Sequence, residues 1–268
     1  MVGTFATVIV VRDLFKFTQS SEYATGFRLW FILGVALIIT MSVSGLLSVV
    51  VELVAYRRLR RRNSGVLAPL ISAIGVSMVL AESVRIMTDS RPVASPRAME
   101  KKFLGEFFDA GIRLDNTIIV VAALVLFFIL WSFINRTRLG KAIRAVSMNP
   151  SAAKLMGIDI DKIVSATFLI GGVLTGAAGF FYVLKYENTG SSIGFELGIA
   201  AFTAAIIGGI GNIKGAFFGG LALGLLETYA SFFLGTQWKA VTVFIVLVLV
   251  LYTKPSGLFG ESITRTRV

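Results

Sequence analysis

Gly198–Leu226 reads GIAAFTAAIIGGIGNIKGAFFGGLALGLL, two short apolar runs dense in glycine and joined at Asn212-Ile213-Lys214. Each run is marginal or short for a membrane span, which takes about 20 apolar residues. Gly211, Gly215 and Gly219 recur at four-residue spacing, as do Gly220 and Gly224, while Gly208 and Gly209 close the first run. Such spacing stacks small residues on one helix face, so two backbones can approach closely in lipid. Short, glycine-interrupted apolar segments also mark transport pathways. Two readings follow: helix packing alone, or packing together with lining of a solute path. For the second reading, Thr203 and Ala204 on the first run are the candidates.

Further apolar runs lie on either side. Leu29–Val51, Thr117–Ile134 and Ile163–Leu184 are long enough to span alone. Val66–Ala81, Gly198–Ile213, Gly215–Leu226 and Ala240–Tyr252 are shorter, and Met1–Val11 is a fragment ending at Arg12-Asp13. Together they predict about eight membrane segments. Of the 268 residues 56% are hydrophobic, against about 45–50% in soluble domains. The fold class is therefore all-α: a polytopic helical membrane protein, with residues 1–268 forming a single membrane domain. Met1–Val11 has neither a basic stretch before it nor a small-residue cleavage site, so no cleavable signal peptide is expected.

The chain contains no histidine and no cysteine. That removes the usual imidazole base, the thiol nucleophile and the common zinc, haem and iron–sulfur ligand sets. No catalytic residue, metal or cofactor is expected. The net charge of +11 does not point to nucleic acid, because the basic residues lie between apolar spans, as the positive-inside rule describes. Arg57-Arg58-Leu59-Arg60-Arg61-Arg62 is the strongest cytoplasmic marker. Strict alternation then puts Arg85–Asp115 outside, residues 135–162 inside, Lys185–Leu197 outside and the C-terminal tail inside. The inner loop carries Arg136, Arg138, Lys141, Arg144, Lys154 and Lys162. The Arg85–Asp115 loop runs against the rule, with six basic residues and five acids on the outer side.

That inner loop, NRTRLGKAIRAVSMNPSAAKLMGIDIDK, holds a short predicted helix. Asn149 caps its start, Pro150 takes the first helical position, and Gly157 suits the left-handed residue that closes the last turn. Ala152, Ala153, Leu155 and Met156 give it an apolar side. A helix of two turns is unstable alone in water. It therefore folds back on its own membrane domain or interface, or docks on a separate cytoplasmic partner.

TRLGKAIRAVSMNPSAAKLMGIDIDKI, then AFTAAIIGGIGNIKGAFFGGLALGLLE, then a closing KPSGLFG, resemble the LivH-type permease of branched-chain amino acid ABC importers. The resemblance runs from about Met1 to Gly260. It implies a permease in the bacterial inner membrane, paired with a LivM-like permease subunit, with two cytoplasmic ABC ATPase subunits and a periplasmic substrate-binding protein. It also implies that Asn149, Pro150, Ala152, Ala153, Lys154, Leu155, Met156 and Gly157 form a coupling helix seated in an ATPase groove. Three departures stand out. The family's further N-terminal helix and Phe-Ala-His-Gly motif fall before the position of Met1, from which a truncated or misassigned start is expected. The family's Tyr-Arg-Pro-Leu-Arg is here Tyr56-Arg57-Arg58-Leu59-Arg60. Ala200 occupies a position where many relatives carry lysine.

No Walker phosphate loop is present: Gly140-Lys141 is followed by Ala142, and no glycine precedes it at the required distance. Energy for active transport must come from another chain. Glu52 is the one acid read inside an apolar helix, and an interfacial pair with Arg57 or Arg58, or plain solvation, is expected. Lys214 is expected at the inner surface. An apolar path of Gly, Ala and Thr suits an uncharged or zwitterionic solute. Urea or short amides are alternative solutes, and a stand-alone carrier or channel is an alternative class. Coupling-ion carriers usually carry midplane acids, which this reading does not find. A membrane-embedded enzyme is disfavoured by the missing histidine, cysteine and paired carboxylates.

Overall fold

A computed structural model describes residues 1–14, 27–61, 67–95, 103–107, 110–254 and 256–260. The chain forms two compact units, Met1–Ser192 and Ile193–Val268.

The first unit is organised around α2 (Phe27–Val51) and α8 (Ile160–Tyr186), which pack antiparallel. Small residues set their closest approach. A Cβ added at Gly176 would lie 2.7 Å from the Thr40 carbonyl oxygen, and one at Gly172 would lie 2.7 Å from that of Ser44. Gly172 and Gly176 are four residues apart on α8, the spacing that lets helix backbones meet in lipid. The short helix α1 (Val2–Ile9) lies against both. Gly179 of α8 approaches its backbone at Gly3 and Thr4, and Val10 and Val11 pack with Ile32, Leu33, Ala36 and Phe180. Hydroxyls make up for the lack of water here. Thr7 bonds Thr40 at 3.1 Å, and Thr189 donates to Thr4 at 2.6 Å.

Beyond Val51, α2 widens into a π-helical turn at Glu52–Tyr56 and ends in the short α3 (Arg57–Arg61). Next come α4 (Leu67–Met87), α5 (Leu114–Arg136), α6 (Arg138–Met148) and α7 (Pro150–Leu155). Among the described residues two minimal sheets interrupt the helices: β1 (Val93–Ala94) pairs with β4 (Asn188–Thr189), and β2 (Phe103–Phe107) pairs with β3 (Ala110–Arg113).

These pairings bear on orientation. Arg57 and Arg60 meet the start of α8, whereas β1 pairs with β4 just beyond its end. The arginine cluster and the loop that follows α4 therefore lie at opposite ends of α8, as alternation requires. Part of the basic excess of the loop after α4 is matched locally. Arg85 is bonded to Glu82, and Arg113 makes two bonds to Asp115 at 3.0 and 2.7 Å. Arg97, Lys101 and Lys102 fall outside the described residues.

The second unit holds α9 (Ile193–Gly208), α10 (Ile213–Leu234), a single 3-10 turn at Thr236–Trp238 and α11 (Lys239–Thr253). Ala204, Ile207, Leu223 and Val243 form its core.

With these helices assigned, the eight apolar segments of the sequence are α1, α2, α4, α5, α8, α9, α10 and α11. Among the described residues, five helical stretches are long and apolar enough to cross a membrane, and Val2–Arg12 and Ile193–Gly208 are shorter apolar helices. The sequence places the end of the second glycine-rich run at Leu226, but the helix continues to Leu234. Glu227, three residues after the last glycine of the run, does not stop it, because glutamate is a good helix former, and the hydroxyls of Thr228 and Ser231 are satisfied by backbone carbonyls of the same helix.

Candidate functional site

The loop between α5 and α8 folds as a helical hairpin of α6 and α7. Thr137 caps α6, its hydroxyl oxygen accepting from the Gly140 N–H at 3.0 Å. Gly140 is required there, since a Cβ would overlap the Ile134 carbonyl. Asn149 then caps α7, its Oδ1 accepting from the Ala152 N–H at 3.0 Å, with Pro150 in the first turn. At the other end Gly157 has φ +80°. Its N–H donates to the Lys154 carbonyl, and the Ile158 N–H donates to that of Ala153. This pair of bonds is the Schellman closure that a C-terminal glycine permits. Both ends of α7 are thus fixed by the residues expected from sequence.

The faces of α7 are less uniform than its composition suggests. Ala153 is buried and belongs to the inner side of the hairpin. Leu155 and Met156 are 89% and 83% exposed, and Met148 beside them 86%. Ala152 and Lys154 are exposed as well. A short helix capped at both ends therefore presents Leu155 and Met156 outward, beside Met148 at the end of α6.

Two residues after Gly157 the chain enters α8. Asp159 caps it, accepting from the Lys162 N–H at 3.3 Å. That bond, followed by the Lys162 ammonium, holds the Asp159 carboxyl below the usual carboxylate range. Asp161, in the first turn, meets the arginines. Arg60 donates to its Oδ1 at 2.6 Å and Arg57 to its Oδ2 at 3.4 Å. Arg60 also donates to Glu52 Oε1 at 3.1 Å, while the Ser165 hydroxyl donates to Oε2 at 2.6 Å.

This corrects the reading of Glu52. It is fully buried, and its partners are Arg60 and Ser165 rather than Arg57, Arg58 or water. The reason is geometric. Glu52, Tyr56 and Arg60 are four apart, and the wide π turn offsets the angular drift that four-residue steps accumulate in an α-helix. All three therefore face α8, where Tyr56 packs at a tilt against Phe168 with ring centres 5.1 Å apart.

The glycine-rich stretch divides into different roles. Gly208, Gly215 and Gly219 lie at the α9–α10 contact. A Cβ on Gly208 would overlap the Gly215 carbonyl, one on Gly215 the Gly208 carbonyl, and one on Gly219 the Ala204 carbonyl. Gly209 and Gly211 have φ of +95° and +96°, so they serve the turn between the helices. Gly209 also abuts the Gly260 backbone. Gly220 would bring a Cβ only to 4.0 Å from that of Ala204, and at Gly224 a Cβ meets no described atom within 4 Å. The four-residue spacing therefore overstates the packing stripe at Gly211, Gly220 and Gly224.

The closing motif returns to this turn. Leu258 and Phe259 donate backbone N–H groups to the carbonyls of Ile207 and Gly208 at 2.8 and 3.3 Å. Asn212 caps α10 through the Gly215 N–H, and its Nδ2 donates to the Phe259 carbonyl at 3.0 Å. GGIGN and SGLFG, over forty residues apart in sequence, thus form one tied corner. Lys214 is exposed beside it.

Thr203 and Ala204 sit inside the packing of this unit, not on an open surface. Thr203 is fully buried and donates its hydroxyl to the Ile199 carbonyl at 2.8 Å. Ala204 lies in the core against Leu223 and Val243. Both side chains are taken up by packing within this unit, whereas Gly198 and Ala201 of the same helix are exposed. Thr203→Val is therefore expected to shift stability by no more than about 1 kcal/mol, because a hydroxyl satisfied within its own helix contributes little. Thermal unfolding in detergent measures this.

Glu227 escaped the sequence reading. It lies within α10, half-buried, two turns before the helix ends at Leu234 and within electrostatic reach of Lys239. It lies about 10 Å from the Leu234 end of a helix of about 33 Å, nearer the middle of the helix than its end.

No solved structure matches this chain. Residues 1–251 match the family described as "Branched-chain amino acid transport system / permease component". The high-affinity branched-chain amino acid transport system permease protein BraD of Pseudomonas aeruginosa is 40% identical over 79% of this chain and 69% of its own length. The corresponding LivH of Escherichia coli is 34% identical over 97% of this chain and 83% of its own. A fructose import permease protein, FrcC of Rhizobium meliloti, is 26% identical over 62% of this chain and 47% of its own. With a family match across nearly the whole chain and LivH and BraD this similar, the chain belongs to the permease components of branched-chain amino acid transport systems.

Proposed function

We propose that this chain is the membrane-spanning permease subunit of an inner-membrane importer for branched-chain amino acids. Separate cytoplasmic ATPase subunits energise it, a LivM-like permease pairs with it, and a periplasmic binding protein delivers the solute. The observation that carries the reading is α7, a helix capped at both ends that carries Leu155 and Met156 almost fully exposed next to Met148. Large apolar side chains on a polar loop favour a partner surface over water. Asn149, Pro150 and Gly157 would set the shape of this coupling helix. Ala152, Lys154, Leu155 and Met156 would meet the ATPase, and Ala153 would anchor the helix to its own hairpin.

The mechanism is alternating access. ATPase closure pushes on α7, and the helices of the two permeases tilt about a central path. The binding protein chiefly selects the solute, so the choice among leucine, other amino acids and amides rests with it.

Leu155→Asp is expected to weaken ATPase association by at least about tenfold, since a charge placed in an apolar contact costs roughly 2–3 kcal/mol or more. The membrane domain should stay folded, because Leu155 touches solvent and not the core. Co-purification of the ATPase subunits with the permease, together with leucine uptake in proteoliposomes, tests this. Undiminished co-purification in both Leu155→Asp and Ala152→Glu would remove α7 from the interface.

A further inference from the structure

We propose that the cytoplasmic ends of α2 and α8 are clamped into one lever by Arg60, so that displacement of α7 moves α2 and α8 together. The proposal rests on the coupling role just given to α7. Arg60 is the positioning residue, and Glu52, Asp161 and Ser165 hold it.

The clamp is built from contacts that all face the same way. Ser48 of α2 donates to the Phe168 carbonyl at 2.8 Å. One turn on, Glu52 takes the Ser165 hydroxyl. One wider turn on, Tyr56 packs on Phe168. At the tip, the guanidinium of Arg60 bridges Asp161 and Glu52 at 2.6 and 3.1 Å, with Arg57 also on Asp161. The contacts span the last turns of α2, its π turn and α3 on one side and the first turns of α8 on the other.

Burial makes the clamp stiff. A fully buried carboxylate is costly unless it is paired and hydrogen-bonded, and Glu52 has both an arginine and a hydroxyl. Parting the two helix ends would strip it of both partners at once. The α7 hairpin feeds directly into this point, because only Met156, Gly157, Ile158 and Asp159 separate α7 from α8. A push on α7 therefore reaches Asp161 first and passes through Arg60 to α2. Higher up, the same two helices meet at Gly172 and Gly176, where backbone touches backbone and cannot shear freely.

The experiment uses the whole importer in proteoliposomes: this chain, its permease partner, the ATPase subunits and the binding protein. Two variants keep it decisive. In Tyr56→Cys/Phe168→Cys the chain carries no other cysteine, so with the variant treated before assembly with its partners a short bifunctional thiol reagent joins the end of α2 to α8. Leucine uptake after cross-linking is expected to stay within about twofold of the same variant before it, because ends that move together are not hindered by a covalent link. In Glu52→Gln/Arg60→Met the charges are replaced by neutral groups of similar length. Uptake is expected to fall at least about tenfold while the ATPase subunits remain bound and ATP is still hydrolysed, the signature of lost coupling rather than lost assembly.

Loss of uptake on cross-linking would overturn the proposal, since it would mean the ends separate during transport. So would parental uptake by assembled Glu52→Gln/Arg60→Met. If that variant does not assemble, cross-linking alone decides. Failure of the coupling reading itself appears separately, in the parental complex, as absence of bound ATPase or of leucine uptake.

Discussion

Gly208→Leu and Gly219→Leu are each expected to eliminate most of the folded protein. Their positions leave no room for a Cβ. At Gly208 it would coincide with the Gly215 carbonyl, and at Gly219 it would strike the Ala204 carbonyl and lie 2.8 Å from the Gly208 nitrogen. The obstacle in each case is backbone, which cannot rotate away as a side chain can. Overpacking commonly costs about 1–3 kcal/mol even where side chains adjust, and here α9 and α10 must part. Lipid offers little hydrophobic drive to push them together again. The loss should therefore exceed about 3 kcal/mol, a large share of the roughly 5–15 kcal/mol that holds a domain folded. It would be read as the yield of monodisperse chain and its thermal midpoint in detergent. Gly224→Ala supplies the contrast, since a Cβ there meets no described neighbour and alanine favours a helix interior by about 1 kcal/mol. Equal yields for Gly208→Leu and Gly224→Ala would dismiss the contact.

The second large effect is expected from Arg60→Ala. It would leave Glu52 buried with only the Ser165 hydroxyl, and would remove the closest partner of Asp161. Breaking a buried pair from one side costs about 3–5 kcal/mol, because the remaining charge has no compensation. Replacing both members by neutral groups avoids that penalty. Glu52→Gln/Arg60→Met should therefore recover most of the stability that Arg60→Ala loses, to within about 1–2 kcal/mol of the parent. Thermal unfolding of the three proteins side by side measures this. If the double variant is as unstable as Arg60→Ala, the damage lies in lost packing of the arginine stem and not in the orphaned carboxylate. Activity divides the variants differently, since the double variant is expected to fold yet transport poorly.

Sequence alone determined what local chemistry determines. Hydrophobic runs located the eight apolar segments that are helices here, because apolar backbone in a bilayer must satisfy its own hydrogen bonds. Asn149, Pro150 and Gly157 announced α7 and its two ends, because caps act on backbone groups only a few residues away. The Lys and Arg distribution, with strict alternation, predicts that the arginine cluster and the loop after α4 lie at opposite ends of the helices, and the arginines meet α8 at the end opposite β4.

Tertiary structure decided everything that depends on which face of a helix meets which neighbour. Periodicity cannot say whether Gly224 touches anything, nor that Thr203 turns inward against its own backbone. It cannot reveal that Glu52 reaches past two nearer arginines to Arg60, since that choice follows from the π turn and from Ser165 on a helix more than a hundred residues away. The close approach at Gly172 and Gly176 was open to reading from its four-residue spacing, but spacing names a candidate face and only a partner helix confirms it. Joining SGLFG to GGIGN needed a backbone that folds back on itself. In a membrane nearly every segment is apolar, so hydrophobicity fixes which residues are helical and leaves their pairing to shape and to the few polar groups that must find each other.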